Sequence, residues 1–195
     1  MPLKPARQLP AERLLKAASE LFLRQGIRAV GIDRILAEAN TARASLYQTY
    51  GSKDALVVAY MEQCDERDRA AFQQAVRGES DPISRILMIF DLDARTAPRN
   101  EFRGCSYGNA VTEFPERDHP VHTVVDRHRK WILDAWTRDL AALGVPQPAK
   151  TAEELLLLHD GGLRGSQFSR SVKPIRQAKD MAAELIARQL QANSE

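Results

Sequence analysis

Between residues 43 and 49 the chain sets Arg43, Ser45, Gln48 and Thr49 at a spacing that turns short or flexible polar side chains outward from one short helix. Arginine pairs with a guanine edge or with phosphate, and glutamine with adenine, so the group suits recognition of a DNA groove. The first sixty residues hold nine Lys/Arg and five Asp/Glu, while the rest of the chain is slightly acidic. A basic head on a neutral body fits a partner that carries phosphates. Taken singly, Arg43 and Lys53 would also pass as ordinary solvated charges.

Other chemistry finds less support. The four histidines, His119, His122, His128 and His159, could suggest a metal. Pro120 interrupts the first pair, His128 falls on an apolar face and no cysteine lies near, so no metal is expected. Cys64 and Cys105 are far apart, which in a reducing compartment reads as two small buried residues. Glu153 and Glu154 are adjacent and face different ways, and no nucleophile–base pair stands at a useful spacing. The chain therefore reads as neither an enzyme nor a cofactor protein. Aromatic residues gather in its second half, and a ligand pocket needs apolar walls with a few placed polar groups. Phe90, Tyr107, Asn109, Phe114 and Trp131 offer both, although the same residues would serve equally as plain core.

The elements that must hold these residues are helical. Leu14, Ala18, Leu21 and Phe22 recur at helical spacing and predict a helix over Pro10 to Gln25, stopped by Gly26. Two short helices follow, Ile32 to Ala39 and Arg43 to Tyr50. Asn40-Thr41-Ala42 forms the break between them, because Asn tolerates the left-handed conformation of a sharp turn. The first short helix braces the second through Ile32, Ile35, Leu36, Leu46 and Tyr50, with Ala39 small at the crossing; this is a helix-turn-helix. Ser52 caps a long helix to about Arg77, and Asp81-Pro82 opens another to about Ala97. Further helices are expected over 104–114, 121–143, 152–168 and 174–191, with loops at 96–103, 115–120 and 144–150. No segment alternates with period two, so the fold class is all-α.

At 44% hydrophobic and 28% charged residues, the 195-residue chain is ordinary for a globular protein, with no apolar run long enough to span a membrane. Met1-Pro2-Leu3-Lys4-Pro5 has no apolar stretch behind it, so no signal peptide is expected and the expected location is cytoplasmic. In the penultimate helix, glycine costs about 1 kcal/mol at each position, and close helix approach is the usual compensation. Gly161, Gly162 and Gly165, with Ala182, Leu185 and Ile186 from the last helix, suit a dimer interface. A crossing of the two helices inside one subunit is the alternative.

The stretch from Leu14 to Leu56, with Phe22, Gly26, Ile35, Ala39, Leu46, Tyr47, Tyr50 and Lys53, resembles the DNA-binding head of TetR-family repressors. The run from Ser45 to Leu56 is the most specific part of the match. The resemblance implies an all-helical homodimer of about nine helices per subunit. Three helices would read DNA, the fourth would join head to body, and the last two would form a four-helix bundle with their partners. It also implies phosphate contacts for Tyr47 and Lys53, a basic contact at Arg43, and outward positions at Ser45 and Thr49. The candidate DNA-binding set is thus Arg43, Ala44, Ser45, Tyr47, Gln48, Thr49 and Lys53. Val30-Gly31 stands where the family usually has Thr-Ser, and Asn40-Thr41-Ala42 where it has Gly-Val-Ser. A run from Arg103 to Ala110 with Glu113-Phe114 resembles one group of these regulators and suggests a sixth helix lining a ligand cavity. The expected organisation is a DNA-binding domain over 1–52 and a ligand-binding and dimerisation domain over 53–195. The expected function is release from a near-palindromic operator by a partly apolar small molecule. The alternative is a helical sensor or adaptor of the same fold that no longer binds DNA.

Overall fold

The computed structural model describes residues 9–192, so the segment Met1 to Pro5, and with it Lys4 and Arg7 of the nine basic residues in the head, lies outside the described residues. Nine helices occur among those residues: α1 (Pro10–Gln25), α2 (Ile32–Ala39), α3 (Arg43–Tyr50), α4 (Lys53–Ala75), α5 (Pro82–Thr96), α6 (Ser106–Glu113), α7 (Val121–Ala142), α8 (Pro148–Ser169) and α9 (Lys173–Ala192). Their ends follow local chemistry. Glu12 reaches back to the Leu9 N–H at 3.1 Å to tie the start of α1. The Ser52 hydroxyl accepts from Ala55 N–H at 3.0 Å, and Asp81 accepts from Ile83 and Ser84 N–H ahead of Pro82. Asn40 takes φ 45° and ψ 57°, as the turn between α2 and α3 requires. The largest departure from the sequence reading is at α8. It starts at Pro148, where a loop was expected, because proline fits the first helical position.

Two apolar clusters fill the interior. The first joins α1–α3 to the N-terminal half of α4, to α6 and to the start of α7, through Leu14, Phe22, Ile35, Leu46, Leu56, Tyr60, Ala110 and Val121. The apolar core therefore runs on past residue 52 without a break. The second cluster holds α5, α7, α8 and α9 together around the fully buried Trp136, with Phe90, Leu155 and Ile186.

The glycines of α8 divide by contact. A Cβ on Gly162 would lie 2.8 Å from the Ala178 Cβ, and one on Gly165 would lie 2.8 Å from the Pro174 Cβ, so both permit close approach of α9 in the same subunit. Ala182 and Ile186 are fully buried there, and Leu185 is half-buried. Gly162, Ala182 and Ile186 are thus filled from within the subunit, the crossing that stood as the alternative to a dimer interface, while Gly165 and Leu185 remain part-exposed. Gly161 lies just outside this contact, with nothing within 4 Å of its would-be Cβ. Gly162→Ala should destabilise the fold by about 1–3 kcal/mol, since overpacking outweighs the gain in helix propensity. Chemical denaturation of the pair should show Gly161→Ala without that penalty; equal midpoints would refute that division.

Candidate nucleic-acid interface and body cavity

α3 buries only Leu46, at 0% exposure, and half-buries Tyr50, whose hydroxyl donates to the Ala11 carbonyl at 3.0 Å. These two side chains hang the helix on α1 and leave its far side in solvent. Arg43, Ala44, Tyr47, Gln48 and Thr49 are exposed, and Ser45 is half-buried. The Arg43 guanidinium bonds to the Asp33 carboxylate at the start of α2. Asp33, followed by Tyr47, raises Arg43 above the ordinary guanidinium value. Lys53 is not a free surface charge: its Nζ donates to the Ile27 carbonyl at 2.9 Å, and burial lowers its pKa. Val30, standing where a hydroxyl is usual, is core, at 1% exposure. Gly31 precedes α2 in extended conformation and gives it no side-chain cap.

The turn between α1 and α2 is gripped from the body. The Glu113 carboxylate at the end of α6 accepts from the Ile27 N–H at 3.0 Å and the Arg28 N–H at 2.6 Å. Gly26, at φ +91°, lets the carboxylate approach; a Cβ there would sit 3.3 Å from it. Arg103 donates through Nε to the Leu23 carbonyl at 3.1 Å, and the Arg28 guanidinium lies over the Phe114 ring at 5.2 Å. Sequence reasoning noted Glu113 only within a motif and missed its partner, because nothing local marks a bond between residues more than eighty positions apart. Glu113→Ala should cost about 1–3 kcal/mol, chiefly by orphaning the part-buried Ile27 N–H, since the Arg28 N–H is exposed. Hydrogen exchange at Ile27 and Arg28 should quicken selectively; unchanged protection there would remove the grip.

In the body, α4, α5, α6, α7 and α8 enclose a cavity of about 250 Å³. Its apolar wall includes Phe72, Ile89, Phe102, Trp131 and Leu163, and its polar groups include Asp68, Asp93, Tyr107, His128 and His159. Most of these polar groups are paired. The Tyr107 hydroxyl donates to Asp68 at 2.9 Å, and Arg67 bonds the other Asp68 oxygen at 3.0 Å. Tyr107 stacks on His128 with ring centroids 3.7 Å apart. His128 Nδ1 lies 2.9 Å from Asp65. Burial disfavours the Asp65 charge, but bonds from Arg69 and His128 outweigh it and hold the carboxyl below its usual range. Burial also lowers the His128 imidazole. Burial pushes the Cys105 thiol up to about 11, so it stays protonated at neutral pH.

Of the five residues expected around a ligand, Tyr107 and Trp131 line this cavity; Phe90, Asn109 and Phe114 do not. Phe90 stacks on Trp136 in the core, with centroids 6.0 Å apart. The Asn109 amide donates to the Arg103 carbonyl at 2.8 Å and braces the loop before α6. Phe114 stacks on His119 at 4.2 Å beside the head. Among the described residues no three His, Cys, Asp or Glu side chains gather as a metal site, and no helix is long and apolar enough to cross a membrane.

A basic helix-turn-helix braced on a helical body with an internal cavity defines a DNA-binding transcriptional regulator. Comparison with known proteins names the family. Residues 14–60 match the family model described as bacterial regulatory proteins, tetR family. The crystal structure of SCO4454, a TetR-family transcriptional regulator from Streptomyces coelicolor, is 33% identical, with a TM-score of 0.81 over 96% of this chain and 91% of that one. The HTH-type transcriptional regulator YjdC of Escherichia coli is 21% identical over 90% of this chain and 92% of its own length. The HTH-type transcriptional repressor NemR of the same species is 23% identical over 90% and 93%. The chain belongs to the TetR family of transcriptional regulators and is not an enzyme.

Proposed function

We propose that this protein is a cytoplasmic repressor that binds a near-palindromic operator as a homodimer and is released by a small molecule held in the body cavity. The observation that carries this reading is the solvent-facing side of α3. It offers Arg43, Tyr47, Gln48 and Thr49 on a helix anchored from behind by Leu46 and Tyr50. Guanidinium and carboxamide groups there suit base edges, and Tyr47 suits phosphate. Lys53, fixed over the α1–α2 turn, keeps donors for a neighbouring phosphate, and Ser45 and Ala44 complete the contact set. Residues 1–52 then act as the reading unit and 53–195 as the sensing and pairing unit. A repressing sign is supported by NemR, a relative named a repressor.

The pairing face lies on the outer side of α8 and α9. Leu157, Gly161 and Phe168 fall on one stripe of α8, and Met181 joins them from α9; the three side chains are large, apolar and exposed. Such a stripe needs cover in water. A second copy supplies it and sets two copies of α3 about 34–36 Å apart for successive major grooves. Effector binding beside Tyr107 would move α6, and Glu113 at its far end would pass the shift to the head, favouring a spacing that no longer fits DNA.

Gel-shift titration against the DNA upstream of the gene, at two salt concentrations, tests the reading. The expected result is specific retention whose affinity falls steeply with salt as counterions are released. Failure to retain any upstream fragment would overturn it and favour the non-DNA-binding sensor.

A further inference from the structure

If the body cavity is the effector site, its wall also specifies the effector's charge. The unbalanced group is Asp93, in the last turn of α5. Its Oδ2 lies 2.6 Å from His159 Nε2, and that imidazole is its one ion-pair or hydrogen-bond partner among the described residues. His159 is 7% exposed, and its Nδ1 is buried without a partner. The contact engages only Oδ2, so Oδ1 of a carboxylate on the cavity wall is left without a partner, and no lysine or arginine pairs with Asp93 among the described residues.

None of the arginines of the wall pairs with Asp93 among the described residues. Arg67 is bound to Asp68, Arg103 donates to the Leu23 carbonyl, and Arg99 is exposed. The Cys105 thiol, raised first by burial, is raised further by the Asp93 charge. The same cavity wall carries Phe72, Phe102, Tyr107 and Trp131, and aromatic faces attract cations as they attract apolar bodies.

We propose that the effector is a small organic cation, an apolar body of one or two rings carrying a protonated amine that binds Asp93. The cavity of about 250 Å³ sets the size. The inference rests on the cavity being the effector site. Three probes of matched shape separate the two claims: 2-phenylethylamine, 2-phenylethanol and phenylacetate, titrated against the full-length protein by calorimetry at neutral pH and millimolar concentration. The amine should bind about tenfold more tightly than the alcohol, as a charge-assisted bond predicts, and phenylacetate should bind most weakly. Asp93→Asn should bring the amine down to the level of the alcohol while leaving the alcohol unchanged. If that variant does not fold, the wild-type ranking decides alone, with Trp131→Leu expected to weaken the amine more than the alcohol. Equal binding of amine and alcohol, or preference for phenylacetate, overturns the cation while leaving the cavity as the effector site. No binding by any of the three overturns both.

Discussion

Leu157→Glu combined with Phe168→Glu should turn the protein into a folded monomer that no longer holds its operator. The two side chains are 71% and 77% exposed in the subunit, so their replacement removes little from the subunit's own core. Far-ultraviolet circular dichroism and the helical content should be unchanged. In a two-fold dimer each stripe meets its own copy, and glutamates at those positions place like charges opposite one another in a desolvated seam. The DNA consequence is larger than the interface change. Each subunit contributes one α3, and the second half-site binds as an effectively intramolecular event. Losing that linkage should weaken operator binding on the order of a thousandfold, while a single half-site is held as before. Analytical ultracentrifugation and gel shift on one sample check both parts. A dimer that survives both glutamates would place the pairing face elsewhere, and a monomer with unimpaired operator binding would break the dependence of reading on pairing.

The choice of face on α8 shows what spacing carries and what it leaves open. Gly161 and Gly165 share a helical side, as do Gly162 and Ser166, so small residues alone signal a close approach without saying to what. Packing decides it. Gly162 and Gly165 are consumed by Ala178 and Pro174 of the same subunit, and what stays open is marked by exposed Leu157 and Phe168. Helix ends in the head were legible because each is a local event: Gly26, Asn40, Gly51 and Ser52 end or start helices by backbone conformation or capping, whatever lies around them. The cavity was legible only in part. Tyr107 and Trp131 reach it, whereas Phe90 has the same chemistry and sits in the core, since an aromatic ring in a helical body satisfies either environment. Asp93 and His159 carried no local sign at all. They meet across 66 positions of sequence, and their significance lies in an atom left unpaired.

The second large effect is expected at Arg43 and Tyr47. The Arg43 side chain is tied to Asp33, yet that bond is solvent-exposed and contributes little to stability. Exchanging it for a base or phosphate contact therefore costs little. Replacing both residues, Arg43→Ala with Tyr47→Ala, removes one charged and one hydroxyl contact from each half-site. Because a good base contact carries about 1–3 kcal/mol of discrimination and the dimer makes each twice, operator affinity should fall by about a hundredfold or more. The dimer and the melting temperature should stay as in the wild type, since neither side chain is buried. The single variants divide the roles. Tyr47→Phe deletes only a neutral hydroxyl suited to phosphate, so it should weaken all sequences alike and leave the salt dependence unchanged. Arg43→Lys keeps the charge but loses the planar fork, so it should retain non-specific binding and lose discrimination at one base pair in each half-site. If Arg43→Lys and Tyr47→Phe instead lower affinity equally on every sequence, α3 holds the backbone without reading bases, and specificity must come from elsewhere in the head.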